Sequence, residues 1–226
     1  MSRIFIPSSG PGDWRCLLAD PVKHWARGKS ARTLAHCWED TNGFPPEIEE
    51  VLNQSEDLED AEPLLIFPEW KVPLVGGVTA SQNDVWVLAK NQKGLISIAI
   101  EGKVDESFDK LLGEWKKDLS TGKKKRLSYL ASILGLEESA ITDSTYYQLL
   151  HRTASAVIEA EKYQASSAVM LVHTFSPQDQ WFKEFSDFVA LYGVEIKINQ
   201  LATVAAKDGM PLHLGWVHGN ERYLAA

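Results

Sequence analysis

Residues 83–103, NDVWVLAKNQKGLISIAIEGK, decide how the chain is expected to fold. Two runs rich in β-branched and aliphatic residues flank the polar segment 91–94, and this pattern is typical of two antiparallel strands joined by a turn. We predict strands over residues 84–90 and 95–103, with residues 91–94 as a four-residue connection. In that register Trp86 lies opposite Ala99, and Asp84 lies opposite Glu101.

The two faces of this hairpin differ in character. Side chains of a strand repeat every second residue, so Lys103 shares a face with Asp84 and Glu101. The other face is predicted to be core because it carries only aliphatic side chains, namely Val85, Val87, Ala89, Ile96, Ile98 and Ile100. A register shift of one residue would turn Glu101 away from Asp84.

The opposed carboxylates predict a metal site. Like charges with Cβ atoms about 5 Å apart destabilise a sheet unless a positive group lies between them. Carboxylate oxygens suit Mg²⁺, which can polarise a phosphoryl oxygen and acidify a water molecule. With Lys103 beside Asp84 and Glu101, the pattern predicts phosphodiester hydrolysis, and the simpler alternative is a surface cluster of ion pairs.

The remaining sequence predicts further elements around the hairpin. Helices are expected over residues 12–18, 21–26, 30–38, 45–52, 108–119, 127–134, 146–163 and 178–192, with a basic turn at 122–126. Extended segments or strands are expected over 64–67, 72–75, 168–175, 194–201 and 211–218, with a turn at Gly76 and Gly77. The order indicates one α/β domain over residues 1–226, with a mixed sheet flanked by helices. Its parts are a helical N-terminal region 1–62, a core 64–201 and a C-terminal strand and tail 202–226.

The net charge of −8 comes from one segment of the chain. Residues 47–62 contain eight acidic residues and no Lys or Arg, and the other 210 residues carry 23 charges of each sign. The composition, 44% hydrophobic, excludes a disordered chain, and the charge excludes a wholly basic nucleic-acid binder. We predict that the acidic run following the helix 45–52 forms a solvated loop and that the basic residues near 116–126 are free to contact a polyanion.

No secretory, membrane or disulfide signal is evident. The opening segment 1–10 is too short for a secretory signal, and no apolar run approaches the length of about 18 residues that a membrane span needs. Cys16 and Cys37 are the only cysteines and have no zinc-finger spacing. We expect a cytoplasmic protein with two buried, reduced thiols, no membrane contact, and either a monomeric or a homodimeric state.

With Asp84 entering one strand and Glu101-Gly102-Lys103 ending the next, residues 30–175 resemble the PD-(D/E)XK nuclease superfamily, which has the restriction-endonuclease-like fold. The resemblance implies that Asp84, Glu101 and the Gly102 carbonyl bind Mg²⁺ or Mn²⁺ and that Lys103 assists the attacking water. Asn83 stands where the superfamily usually has Pro. Residues 4–14 are also similar to the start of a bacterial family of unknown function.

The same resemblance implies further site residues. Members often add an acid from the first core helix, here Glu39, and a polar residue on the helix after the motif strand, here Gln148. His151 and Arg152 follow Gln148 at helical spacing and share its face. Contact with the DNA backbone is predicted for the basic residues Lys123, Lys124, Lys125, Arg126 and Arg152.

The pattern Glu-x-Lys is weak alone, because it begins at Glu69, Glu101, Glu114 and Glu195. Only Glu101 has an acidic partner placed by a hairpin register, although Glu69, which follows Pro68, could approach the same site. The sequence therefore predicts a Mg²⁺-dependent DNA nuclease with Lys103 and Gln148 as catalytic residues. A non-catalytic nuclease-fold module that binds nucleic acid or protein is the alternative, and a different metal-dependent phosphoesterase is a third.

Overall fold

The computed structural model describes Ile4 and residues 8–226, so residues 1–3 and 5–7 of the opening segment lie outside it. The strands are β1 Glu62–Val72, β2 Ser81–Asn91, β3 Gly94–Lys103, β4 Ser167–Thr174, β5 Gln200–Ala205 and β6 Pro211–His218. The helices are α1 Pro21–His24, α2 Ser30–Glu39, α3 Pro46–Leu52, α4 Leu112–Trp115, α5 Thr121–Leu134, α6 Tyr147–Tyr163 and α7 Phe182–Val189. Short 3₁₀ turns cover Pro11–Leu17, Lys116–Asp118, Glu138–Ala140, Ala190–Tyr192, Lys207–Gly209 and Glu221–Ala225.

The central hairpin forms in the predicted register. Trp86 pairs with Ala99, and the neighbouring pairs follow the same alignment. The predicted connection is wrong in length, because Asn91 pairs with Gly94 and only two residues remain in the loop. The shorter loop changes none of the predicted pairs, so the acidic face and the aliphatic face of the hairpin lie as expected.

The strands form one mixed sheet in the order β1-β2-β3-β4-β6-β5. The first three strands are antiparallel neighbours, β4 is parallel to β3 and to β6, and β5 is antiparallel to β6. Helices α5 and α6 pack on one face of the sheet, while α2 and α3 pack on the other, and each face has its own buried cluster. The predicted α/β class with a mixed sheet flanked by helices is therefore confirmed.

Several predicted boundaries are wrong. The basic segment 122–126 is not a turn, because Ser120 accepts a hydrogen bond from the backbone N–H of Lys123 and begins α5 there. The helix predicted over 108–119 is reduced to α4 and one 3₁₀ turn. The strand predicted over 194–201 starts only at Gln200, since the preceding residue, Asn199, has a left-handed backbone with φ 57°. Strand β1 runs through Pro68 at the edge of the sheet, where proline is tolerated, so it includes the predicted segment 64–67 but only the first residue of the segment 72–75.

The acidic run after the helix is not a free loop. Residues 47–52 lie in α3, as the predicted helix 45–52 requires, and Leu58 is fully buried beyond it. The Asn91 side chain donates hydrogen bonds to the backbone carbonyls of Asp57 and Glu59, and Lys93 pairs with the Asp57 carboxylate at 2.9 Å. These contacts fix the segment beside the hairpin loop, at the end of β3 remote from Lys103.

Two further expectations concern the cysteines and the membrane. Cys37 is buried as predicted, but Cys16 is exposed, so the prediction of two buried thiols is wrong for that residue. Within the described part of the chain, none of the helices combines the length and the apolar character that a bilayer span requires.

Candidate active site

A cavity of about 650 Å³ lies at the carboxyl end of β3. The end of this strand, the start of β2, one face of α6 and the beginning of α2 all contribute to its wall. It contains five acidic side chains, namely Glu69, Asp84, Glu101, Glu106 and Asp109. Its basic or neutral nitrogen-bearing side chains are Lys23, His24, Lys29, Gln82, Gln148 and Arg152.

Glu101 is the most enclosed of the predicted site residues, with only 3% of its surface exposed. Its Oε1 accepts hydrogen bonds from Lys103 Nζ at 2.8 Å and Gln148 Nε2 at 2.9 Å, and its Oε2 accepts one from Arg152 Nε at 2.5 Å. Burial opposes ionisation, but the charges of Arg152 and Lys103 outweigh it and lower the pKa of Glu101 to about 2. Glu101 is therefore a permanently ionised, fixed carboxylate.

Lys103 is buried beside this carboxylate. Besides Glu101, its ammonium donates to Gln148 Oε1 at 3.1 Å and to the backbone carbonyl of Ser107 at 3.4 Å. The ammonium also lies 4.8 Å from the centre of the Phe108 ring. An ammonium has three N–H donors, so all three are engaged, and Lys103 is held in one orientation.

Asp84 completes the predicted pair of acids. Its Oδ2 accepts a hydrogen bond from the backbone N–H of Gly102 at 2.8 Å, and its Oδ1 lies 3.8 Å from Arg152 Nη2. Burial and the nearby charge of Glu101 raise the pKa of Asp84 well above its usual range. A cation in contact with Asp84 would relieve this repulsion, which the single guanidinium of Arg152 offsets only in part.

Glu69 is a site residue that sequence reasoning did not assign. It lies in β1 between Pro68 and Trp70, which pair with residues on either side of Asp84. Its backbone is left-handed, with φ 53°, which is uncommon for a residue with a side chain and typical of a functional site. Its Oε2 accepts a hydrogen bond from Gln82 Nε2 at 2.5 Å, and burial raises its pKa to about 7. A third carboxylate therefore faces the cavity next to Asp84.

Helix α6 supplies the polar wall of the cavity. Gln148 and Arg152 are four residues apart, so they lie on one side of the helix and both reach Glu101. His151 does not join them: its Nδ1 is 2.8 Å from Ser81 Oγ, its ring lies against Tyr147, and it does not line the cavity.

Glu39, predicted as an additional metal ligand, is not brought to this site. Its Oε1 accepts hydrogen bonds from Ser8 Oγ at 2.5 Å and Trp14 Nε1 at 2.7 Å. Helix α2 presents its first residues, Ser30 and Ala31, to the cavity, whereas Glu39 is its last residue. The direction of the helix therefore accounts for the difference.

The predicted DNA contacts separate into three groups. Lys124 and Lys125 are exposed, and Lys123 donates to the Trp115 carbonyl at 2.7 Å, but none of the three lines the cavity. Arg126 is buried and donates to the backbone carbonyls of Val75 and Leu74, so its predicted role in binding DNA is wrong.

Arg152 lines the cavity, but its guanidinium binds Glu101 instead of being free for a phosphate. Sequence reasoning also missed a second basic run. Residues 23–32 hold four Lys or Arg and no acid, and Lys23 and Lys29 of this run line the cavity.

Comparison with known proteins identifies the family of this chain. No curated protein and no solved structure matches the chain. Residues 7–221 match the family described as Domain of unknown function (DUF6946), a match that includes every cavity residue named above. The chain belongs to this family.

Proposed function

We propose that the protein is a cytoplasmic, Mg²⁺-dependent nuclease of the PD-(D/E)XK type that hydrolyses phosphodiester bonds in DNA. One observation carries the proposal: Asp84, Glu101 and Lys103 share one face of the sheet, where Asp84 and Glu101 line a cavity and Lys103 is hydrogen-bonded to Glu101 behind its wall. Surface clusters of ion pairs are common, but this cluster is buried, contains a third acid and has an opening to solvent.

The donor atoms at this site fit Mg²⁺ in chemical type. Asp84 Oδ1 and Glu69 Oε1 accept no hydrogen bond from the described residues, and both belong to side chains that line the cavity. Hard oxygen ligands of this kind suit Mg²⁺ and Mn²⁺. When bound, such an ion supplies a Lewis acid for a phosphoryl oxygen and makes a bound water more acidic. Asp84 and Glu69, with Glu101 behind them, would hold it.

The roles of the other side chains follow from their contacts. Glu101 and Gln148 hold the Lys103 ammonium. When a water or a phosphoryl oxygen replaces one of its present acceptors, Lys103 donates an N–H to that oxygen and orients it. The nearby guanidinium of Arg152 offsets negative charge that develops on the phosphate.

A second candidate function rests on Arg152. Its guanidinium binds Glu101 and lies 3.8 Å from Asp84, so one protein cation already supplies part of the positive charge that a metal would supply. This arrangement favours a non-catalytic module of the same fold, which binds nucleic acid or protein without hydrolysis. The two candidates differ in whether metal binds at Asp84.

Cleavage assays test the proposed nuclease. Supercoiled plasmid and single-stranded DNA are incubated with the protein in Mg²⁺, Mn²⁺ or EDTA, and metal binding is measured by calorimetry. We expect metal-dependent cleavage that falls by about 100-fold or more in Asp84→Asn and in Lys103→Met. Glu195→Gln and Lys197→Met are the matched controls, because they change an exposed Glu-x-Lys pair outside the cavity and should retain full activity.

Arg152→Met separates the two candidates. Removing this guanidinium leaves the negative charges of Asp84 and Glu101 without their arginine partner, so the free energy of unfolding should fall by about 3 kcal/mol in EDTA. In the nuclease, Mg²⁺ binds where the charge was removed and restores much of the loss. No metal binding by the wild type, with no rescue of Arg152→Met by Mg²⁺, would refute the nuclease and favour the module.

A further inference from the structure

A second cluster of metal-binding side chains lies on the opposite face of the sheet from the cavity. Cys37 from α2, Glu47 from α3 and His173 from β4 converge there, and one potential ligand atom from each lies within 4.8 Å of the other two. Cys37 and His173 are almost fully buried, whereas the Glu47 side chain is 21% exposed and gives the cluster a route to solvent.

The two separations that involve Glu47 suit a tetrahedral ion. Cys37 Sγ is 3.8 Å from Glu47 Oε1, and His173 Nε2 is 3.1 Å from the same oxygen. Zinc bonds of about 2.0–2.3 Å at tetrahedral angles require ligand atoms about 3.3–3.6 Å apart. The two separations involving Glu47 are therefore within a few tenths of an ångström of those required.

The C-terminal backbone packs closely against this cluster. Gly219 lies against His173, and a Cβ atom at this position would come within 2.6 Å of His173 Nε2 and 2.5 Å of the Phe175 ring. The next residue, Asn220, donates its backbone N–H to Glu47. The C-terminal segment thus encloses the cluster with a residue that has no side chain to block the ring nitrogen.

We propose that Cys37, Glu47 and His173 bind one Zn²⁺ ion, with water as the fourth ligand. The combination of sulfur, nitrogen and oxygen ligands is typical of zinc and unsuited to Mg²⁺, which prefers oxygen alone. On binding, the Cys37 thiol releases its proton to solvent and the thiolate bonds to the ion, while His173 keeps its proton on Nδ1. The ion would connect α2, α3 and β4, and the water would occupy the open fourth position.

This site is independent of the proposed nuclease, because it shares no ligand with the cavity. The two faces of the sheet would therefore select different metals. Asp84→Asn, which removes an acid of the cavity, should leave zinc binding unchanged, and zinc binding can be measured whether or not the protein cleaves DNA.

Zinc and cobalt titrations of the full-length, metal-depleted protein test the site. We expect one Zn²⁺ per chain, an increase in melting temperature on zinc addition, and a thiolate-to-metal charge-transfer band with Co²⁺ as the probe. Cys37→Ser should abolish the band. Both Cys37→Ser and His173→Gln should weaken zinc binding by more than roughly 10–100-fold, which is the effect of changing a residue that only contacts a ligand. Cys16→Ser is the matched control, because it removes the other, exposed thiol and should behave as the wild type.

The outcomes that would overturn the proposal are equally specific. They are the absence of a charge-transfer band in the wild type, a band that persists in Cys37→Ser, and one that is lost in Cys16→Ser. Where the buried variants fail to fold, Glu47→Gln provides the test at the partly exposed ligand: weakened zinc binding by a folded Glu47→Gln protein supports the site, and unchanged binding refutes it.

Discussion

Glu69 has both an unusual backbone conformation and a buried carboxyl group. Residues with a left-handed backbone and a side chain cost roughly 1–3 kcal/mol and persist where the surrounding structure holds them. Here Pro68 and Trp70 are paired on either side, so the strand continues while the side chain of Glu69 turns into the cavity. The placement of this one carboxylate therefore lowers the stability of the fold.

The pH dependence of stability should report this carboxylate. Burial raises the Glu69 pKa from 4.5 to about 7, so the folded chain keeps a proton that the unfolded chain has lost. The contribution of Glu69 to stability is therefore present below pH 4.5 and is lost as the pH rises toward 7, by at most about 3 kcal/mol. Urea unfolding at pH 5, 6, 7 and 8 should show the wild type losing stability relative to Glu69→Gln, and a constant difference between the two would contradict the assignment.

The acidic pair could be predicted from sequence, whereas its third member could not. Alternation on both sides of a short loop fixes the register of β2 with β3, so Asp84 and Glu101 could be placed together. The register of β1 depends on residues 73–80, where the sequence predicts a turn at Gly76 and Gly77 but not which residues of β1 and β2 pair on either side of it. Arg152 was found on the correct helix face, but its ion pair with Glu101 depends on how α6 packs against the sheet.

At the scale of elements, the start of α5 is a docking site for the segment that joins β1 to β2. Arg126 donates to the carbonyls of Leu74 and Val75, and Gly76, with φ 88°, approaches the Gly122 carbonyl so closely that a Cβ atom would lie 2.4 Å from it. The sequence indicated a basic turn here because charge alone does not distinguish an exposed lysine from an arginine that binds backbone carbonyls.

Substitutions in α5 should separate these two kinds of basic residue. Arg126→Met leaves two buried carbonyls without their charged donor, so the free energy of unfolding should fall by about 3 kcal/mol. Lys125→Met removes an exposed charge one position earlier and should change stability by less than about 0.5 kcal/mol. Chemical denaturation measures both, and equal effects would contradict the docking role of Arg126.

At the scale of the whole molecule, the acidic and basic surfaces lie at different ends of the sheet. The acidic segment 47–62 is fixed beside the hairpin loop, whereas the basic run 23–32 borders the cavity at the other end of β3. A polyanion at the rim of the cavity therefore meets Lys23 and Lys29, although Lys29 also pairs with Asp105, the cavity itself holds five acids and the net charge of the chain is −8.

The salt dependence of DNA binding should locate the binding surface. With metal omitted to prevent cleavage, Lys23→Gln combined with Lys29→Gln should reduce the slope of log K against log salt by about 2, or about 0.9 for each lost phosphate contact. Lys183→Gln combined with Lys197→Gln is the control, because both lysines are exposed away from the cavity. An unchanged slope in the first pair would place the DNA elsewhere, and the same substitutions at Lys124 and Lys125 test a path along α5.

The bend at Pro68 and Glu69 also affects how molecules meet one another. β1 is the first strand of the sheet, and a long, regular edge strand is a template for intermolecular β-pairing and aggregation. Pro68 lacks an N–H group, and the left-handed Glu69 turns the backbone, so the edge cannot offer a continuous ladder to a second chain. The irregularity that directs a carboxylate into the cavity thus also protects the protein from self-association through this edge of its sheet.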